Sequence, residues 1–87
     1  MERRDRTIER LLRGSSDADF SFTEICTLLR RMGFAERVRG DHHIFTRHGV
    51  AEILNLQPRQ GKAKPYQVKQ VRSVVLKYSL GGGRDAV

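Results

Sequence analysis

The chain has little of what several large protein classes require. A single cysteine, Cys26, stands among 87 residues. That excludes an internal disulfide and a thiolate-rich zinc site, and it predicts a reducing, cytoplasmic setting. Long apolar runs are missing too. The longest wholly aliphatic stretch is Val74-Val75-Leu76, against the ~20 residues a membrane span needs. The opening residues MERRDRTIERLL carry charge throughout and lack the apolar segment of a secretory signal. There is no G-x-S-x-G elbow, no glycine-rich phosphate loop before a helix and no pair of carboxylates in a plausible cleft. Acyl transfer, P-loop hydrolysis and glycoside hydrolysis therefore lack their residues.

What is present is positive charge. Lys and Arg total 17 against 10 Asp and Glu, a net charge of +7. A surplus that large on one small domain predicts a polyanionic partner, most often nucleic acid. With 38% hydrophobic residues the chain can bury one modest core and no second domain.

The pattern predicts the element order α, α, β, β, β, α. Ile8, Leu11 and Leu12 recur at helical spacing in a short segment carrying Arg3, Arg4, Arg6, Arg10 and Arg13, and Gly14 to Asp17 reads as its stop. Spacing alone does not say whether this helix packs or frays. From Phe20 to Phe34 the periodicity is clearest: Phe22, Ile25, Cys26, Leu28, Leu29 and Met32 share one arc. Ser21 and Glu24 have capping-box spacing, and Gly33-Phe34 reads as a left-handed cap with its apolar clasp. After Phe34 the period shortens. Ala35–Arg39, His42–Arg47 and Val50–Leu56 read as three strands joined by the Gly40-Asp41 and Gly49 turns. Gln57 to Lys64 is a polar, basic loop. Pro65 opens a last helix with Val68, Val71, Val74, Val75 and Tyr78 on its apolar side, ending at Leu80-Gly81. Residues 1–16 are thus expected as an N-terminal helix and turn, 17–80 as a two-layer α+β domain, and 81–87 as a disordered tail.

All three histidines lie close together, yet they do not make a metal site by spacing. His42 and His43 point to opposite faces of a strand, and His42 and His48 would stand roughly 20 Å apart along it. No cysteine pair or helical HExxH supplies further ligands, so neither metal nor cofactor is expected. Cys26 falls on an apolar arc, where a thiol is ordinarily core packing. The remaining candidate is one histidine at the start of a hairpin strand, surrounded by cations. RNA carries its own nucleophile, the 2′-OH. An imidazole with a pKa of about 6.5 can accept that proton or donate one to the leaving oxygen, while nearby cations stabilise charge on the phosphate. On composition and spacing alone such a histidine is more often an ordinary surface strand residue.

Gly40-Asp41-His42-His43-Ile44-Phe45, after a helix ending Met32-Gly33-Phe34, resembles the G-S-H-x-x-[FY] signature of HicA toxins, the mRNA interferases of type II toxin–antitoxin modules. The segment from Ile53 to Pro58 and that from Lys62 to Arg72 resemble one HicA subgroup, so the likeness spans roughly residues 20 to 80. The resemblance implies a double-stranded-RNA-binding-domain-like α-β-β-β-α sandwich, here with an extra N-terminal helix, and a metal-independent endoribonuclease. It further implies His42 as the catalytic residue, mRNA as substrate and a HicB-type antitoxin as inhibitor, with DNA contacted only through that antitoxin. His43 matches a variable position and is expected to be structural or a bystander on the other side of the strand.

Asp41 stands where the family usually has Ser. A carboxylate beside His42 could orient the imidazole and favour its protonated form, or repel the scissile phosphate. Either predicts slower cleavage or a displaced pH optimum. Arg37 and Arg39 share a strand face and lead into the Gly40 turn, so they are expected to frame His42. Lys62 and Lys64 on the loop, and Lys69 and Arg72 on the polar side of the last helix, complete the expected RNA footprint. Two other readings use the same charge. One is an RNA-binding module that does not cut; the other is a DNA-binding or interaction domain driven by the N-terminal arginines.

Overall fold

The long helix expected before the strands is bounded by its own caps. In the computed structural model, which describes residues 6–80, helix α2 runs Phe22–Arg31. Ser21 Oγ accepts from Glu24 N–H and Glu24 Oε1 accepts from Ser21 N–H, both at 3.0 Å. Such a cap contributes about 1 kcal/mol. At the other end Gly33 takes φ 92. Gly33 N–H donates to Arg30 O and Phe34 N–H to Leu29 O, each at 3.0 Å, and Phe34 is buried. That is the six-to-one, five-to-two closure of a left-handed cap.

The strands follow as expected: β1 Ala35–Arg39, β2 His42–Arg47 and β3 Val50–Leu56. They form one antiparallel sheet in the order β1-β2-β3. The β1–β2 register closes on Arg39 opposite His42 across the Gly40-Asp41 turn. Gly40 there has φ 60, the left-handed first position of a two-residue hairpin turn. Alternation then separates two faces. Phe45, Leu54 and Leu56 point toward the helices and are fully buried. Ile53, on the opposite face, is 61% exposed.

Helix α3, Pro65–Lys77, begins with Pro65 in its first turn, where a missing N–H is harmless. Its valines 68, 71, 74 and 75 are buried in the shared core, with α3 lying against β3. It ends one residue pair earlier than Leu80-Gly81 suggests. Ser79 adopts φ 56, with Ser79 N–H donating to Leu76 O and Leu80 N–H to Val75 O, so a serine fills the left-handed position that favours glycine.

Helix α1, Arg6–Arg13, packs on the domain. Leu11 is fully buried in the core and Ile8 packs against it, but Leu12 is exposed, so the expected apolar trio contributes two members. A 3₁₀ turn, Asp17–Asp19, links it to α2; periodicity does not predict that turn. The result is a small α+β fold, with helices on one face of a three-stranded antiparallel sheet and the other face open. Among the described residues no helix is long and apolar enough to cross a membrane. Arg3, Arg4 and the tail expected over 81–87 lie outside the described residues.

Candidate functional site

His42 begins β2, on the open face of the sheet, and is exposed. Its Nδ1 lies 3.1 Å from Asn55 Oδ1. Ile44 pairs with Asn55 across β2–β3, so Asn55 reaches His42 diagonally from the next strand on the same face. A carboxamide oxygen only accepts, so this orientation places the proton on Nδ1. In the neutral ring Nε2 then keeps its lone pair. Nε2 is the atom able to take a proton from, or return one to, a substrate bound on the open face.

The two expected arginines are where the strand pattern places them. Arg39 is directly opposite His42, and Arg37 is opposite Ile44 on the same face. Both are exposed. Asp41 makes no hydrogen bond to the His42 ring in this structure. Its Oδ2 accepts from Gln57 Nε2 at 3.1 Å. That hydrogen bond, with the charges of His42 and Lys64, holds the carboxyl below its ordinary range. The residue bonded to the imidazole is Asn55, not Asp41. Sequence reasoning misses Asn55 because nothing local links it to His42; only the β2–β3 register brings them together.

Of the expected cations on the helix side, Lys64 lies at the start of α3 with its charge felt by Asp41. Lys62 is exposed on the turn before it. Lys69 is exposed on α3, where its charge acts on Asp17. Arg72, expected in the RNA footprint, is engaged within the fold instead. Its guanidinium donates to Asp17 Oδ1 at 2.8 Å, to Asp17 Oδ2 at 3.0 Å and to Leu11 O at 3.2 Å. The paired side chains are only 18% and 15% exposed. This fork-on-carboxylate geometry is a structural clamp, and it leaves the group little freedom to meet a phosphate.

His43 occupies the covered face, as its expected structural role requires. Its ring meets Phe22 edge-on with centroids 4.8 Å apart, and Nδ1 lies 2.7 Å from Glu36 Oε2. Glu36 Oε1 accepts from Arg30 Nε at 2.8 Å. Together with Cys26, the donor atoms of Glu36 and His43 fall within 4.8 Å of one another, a grouping from three elements that sequence spacing could not show. As it stands, Arg30 and His43 hold Glu36 in its charged form, and burial pushes the Cys26 thiol up to about 11. Glu36 is satisfied by Arg30 and His43 and Cys26 is buried, so the cluster ties α2 to β1 and β2. His48 lies exposed in the β2–β3 turn and joins neither group.

No protein-family model, curated protein or solved structure matches this chain.

Proposed function

We propose that this protein is an RNA-cleaving toxin of the HicA type, in which His42 moves the proton. The observation that carries the reading is the exposed His42 ring, held through Nδ1 by Asn55 at 3.1 Å with Nε2 free to act. Arg39 stands directly opposite it. In the proposed step the RNA 2′-oxygen attacks the adjacent phosphorus and the bond to the 5′-oxygen breaks. Nε2 removes the 2′ proton, or in its protonated state delivers one to the departing 5′-oxygen; water exchanges the other proton. Arg39 and Arg37 stabilise the charge gathering on the phosphate oxygens. The step calls on these side chains, the substrate and water.

The α-β-β-β-α order, with helices on one face, supports the double-stranded-RNA-binding-domain-like arrangement that the resemblance implies. A net charge of +7 suits a substrate read through phosphates, and equally an acidic HicB-type antitoxin laid over the open face. A second reading, RNA binding without cleavage, draws on the ionised Asp41 carboxylate next to the reacting ring, which opposes an incoming phosphate.

The deciding experiment incubates the purified chain with mixed RNA in EDTA, beside His42→Ala. The expected result is cleavage that persists in EDTA and falls by about 100-fold or more in the variant, the usual contribution of a general acid or base. Equal cleavage by the variant would remove His42 from the mechanism. Binding without cleavage from pH 5 to 9 would leave the second reading.

A further inference from the structure

Where the loop after β3 leads into α3 lies an open cleft of about 340 Å³, lined by Arg59, Lys62, Lys64 and Tyr66 around Ala63 and Pro65. Its size falls within the range of ligand sites, about 300–1,000 Å³. Two features of its walls call for a ligand. Arg59 and Lys62 face each other across a two-residue turn, bonded N–H to O in both directions at 2.9 and 3.0 Å. Gln60 and Gly61 between them take φ 52 and φ 80. Like charges directly opposite in such a pair destabilise it. Among the described residues no carboxylate forms an ion pair with either cation. The turn is nevertheless held in place, since Phe22 N–H donates to Gly61 O and Ala63 N–H to Phe20 O. A polyanion would relieve this repulsion without moving the backbone. The second feature is Tyr66, whose side chain stands 63% exposed on the cleft wall.

Lys64 on the cleft wall is close enough for its charge to act on Asp41, and Gln67, next in the chain to Tyr66, leads to the His42 turn. The Gln67 amide, buried at 3%, exchanges hydrogen bonds of 3.2 Å with the Gln57 backbone, and the Gln57 side chain holds Asp41 at 3.1 Å. Three cations and an aromatic face, leading to the turn that precedes a proton-transfer group, match the makeup of a single-strand path. Cations track the backbone while a base stacks on the ring. A duplex keeps its base faces stacked inside and offers Tyr66 nothing to cover.

Resting on the RNA reading above, we infer that this cleft seats single-stranded RNA flanking the cleaved bond. One base stacks on Tyr66, and adjacent phosphates lie between Arg59, Lys62 and Lys64.

The test measures binding by fluorescence anisotropy with His42→Ala as parent, so that the RNA survives. The probes are an unstructured labelled RNA of about 12 nucleotides and the same strand annealed to its complement. Tyr66→Ala is expected to weaken single-strand binding about fivefold or more, with duplex binding unchanged and Tyr66→Phe close to the parent. Arg59→Gln with Lys62→Gln is expected to reduce the slope of log affinity against log salt by about 1.4, at roughly 0.7 for each phosphate no longer neutralised. Circular dichroism melts check that each variant is folded. Single-strand binding indifferent to Tyr66, an equal loss in Tyr66→Phe, or a parallel loss on duplex would each overturn the cleft while leaving RNA as the substrate. A parent that binds neither probe would overturn the RNA reading and the cleft with it.

Discussion

Asn55 allows the acid–base reading of His42 to be tested without altering the ring. Its carboxamide oxygen accepts from Nδ1 at 3.1 Å, so in the proposed mechanism it is a positioning residue that acts through His42. Asn55→Ala frees the ring to rotate and is expected to lower RNA cleavage about tenfold or more, since small misplacements of a reacting group carry costs of that order. Asn55→Asp keeps the acceptor but adds negative charge, which favours the imidazolium. The histidine limb of its pH–rate profile should therefore move to higher pH, whether His42 serves as acid or base. A merely structural Asn55 would change the rate and leave that limb in place. Asp41 does not duplicate this function, because Gln57 holds its carboxylate.

At the scale of elements, the seam between β3 and α3 carries a pH dependence. Lys77 Nζ donates to Glu52 Oε2 at 2.9 Å and Tyr78 OH to Oε1 at 2.7 Å. The Lys77 hydrogen bond, then that of Tyr78, lowers the Glu52 carboxyl from 4.5 to about 2. A carboxyl whose pKa is depressed by folding contributes stability above its unfolded pKa and loses it as pH falls toward the folded one. Wild type should therefore melt above Glu52→Gln at pH 6, and the gap should close progressively between pH 4.5 and pH 2. A gap constant over that window would show that the carboxylate does not stabilise the seam. Much at this scale is legible in residue order. The capping box at Ser21 and Glu24, the Gly33 cap and the change from helical to alternating period after Phe34 are local signals, and the boundaries of β1 to β3 follow from them. Residue order places the end of α3 too far along because glycine is the ordinary left-handed residue, and Ser79 takes that role here.

For the molecule as a whole, Arg72 fastens three segments by reaching from α3 to Asp17 and to the Leu11 carbonyl. Arg10 of α1 adds a bond to Glu24 at 2.8 Å, and Leu11 fills the core. The N-terminal helix is thereby part of the fold. Arg72→Ala is expected to cost about 1.5–3 kcal/mol in urea unfolding, the range for hydrogen bonds to charged groups. A double-mutant cycle with Asp17→Ala should show strong coupling. The salt dependence of RNA binding should remain that of wild type, because a guanidinium already clamped to a carboxylate releases no counterions on binding. A reduced salt slope would return Arg72 to the RNA surface.

Periodicity, caps and turn residues act within a few positions of one another. They determined the element order, the apolar faces and the placing of His42 at a hairpin turn with Arg37 and Arg39 on its strand face. What they could not reach are pairs far apart in the chain: Asn55 beside His42, Gln57 on Asp41, Cys26 with Glu36 and His43, and Arg72 on Asp17. Each of these depends on which strands pair and how helices lie across them. That is decided by burying one shared core, since a side chain's distant partners are set by packing and register rather than by its neighbours in sequence.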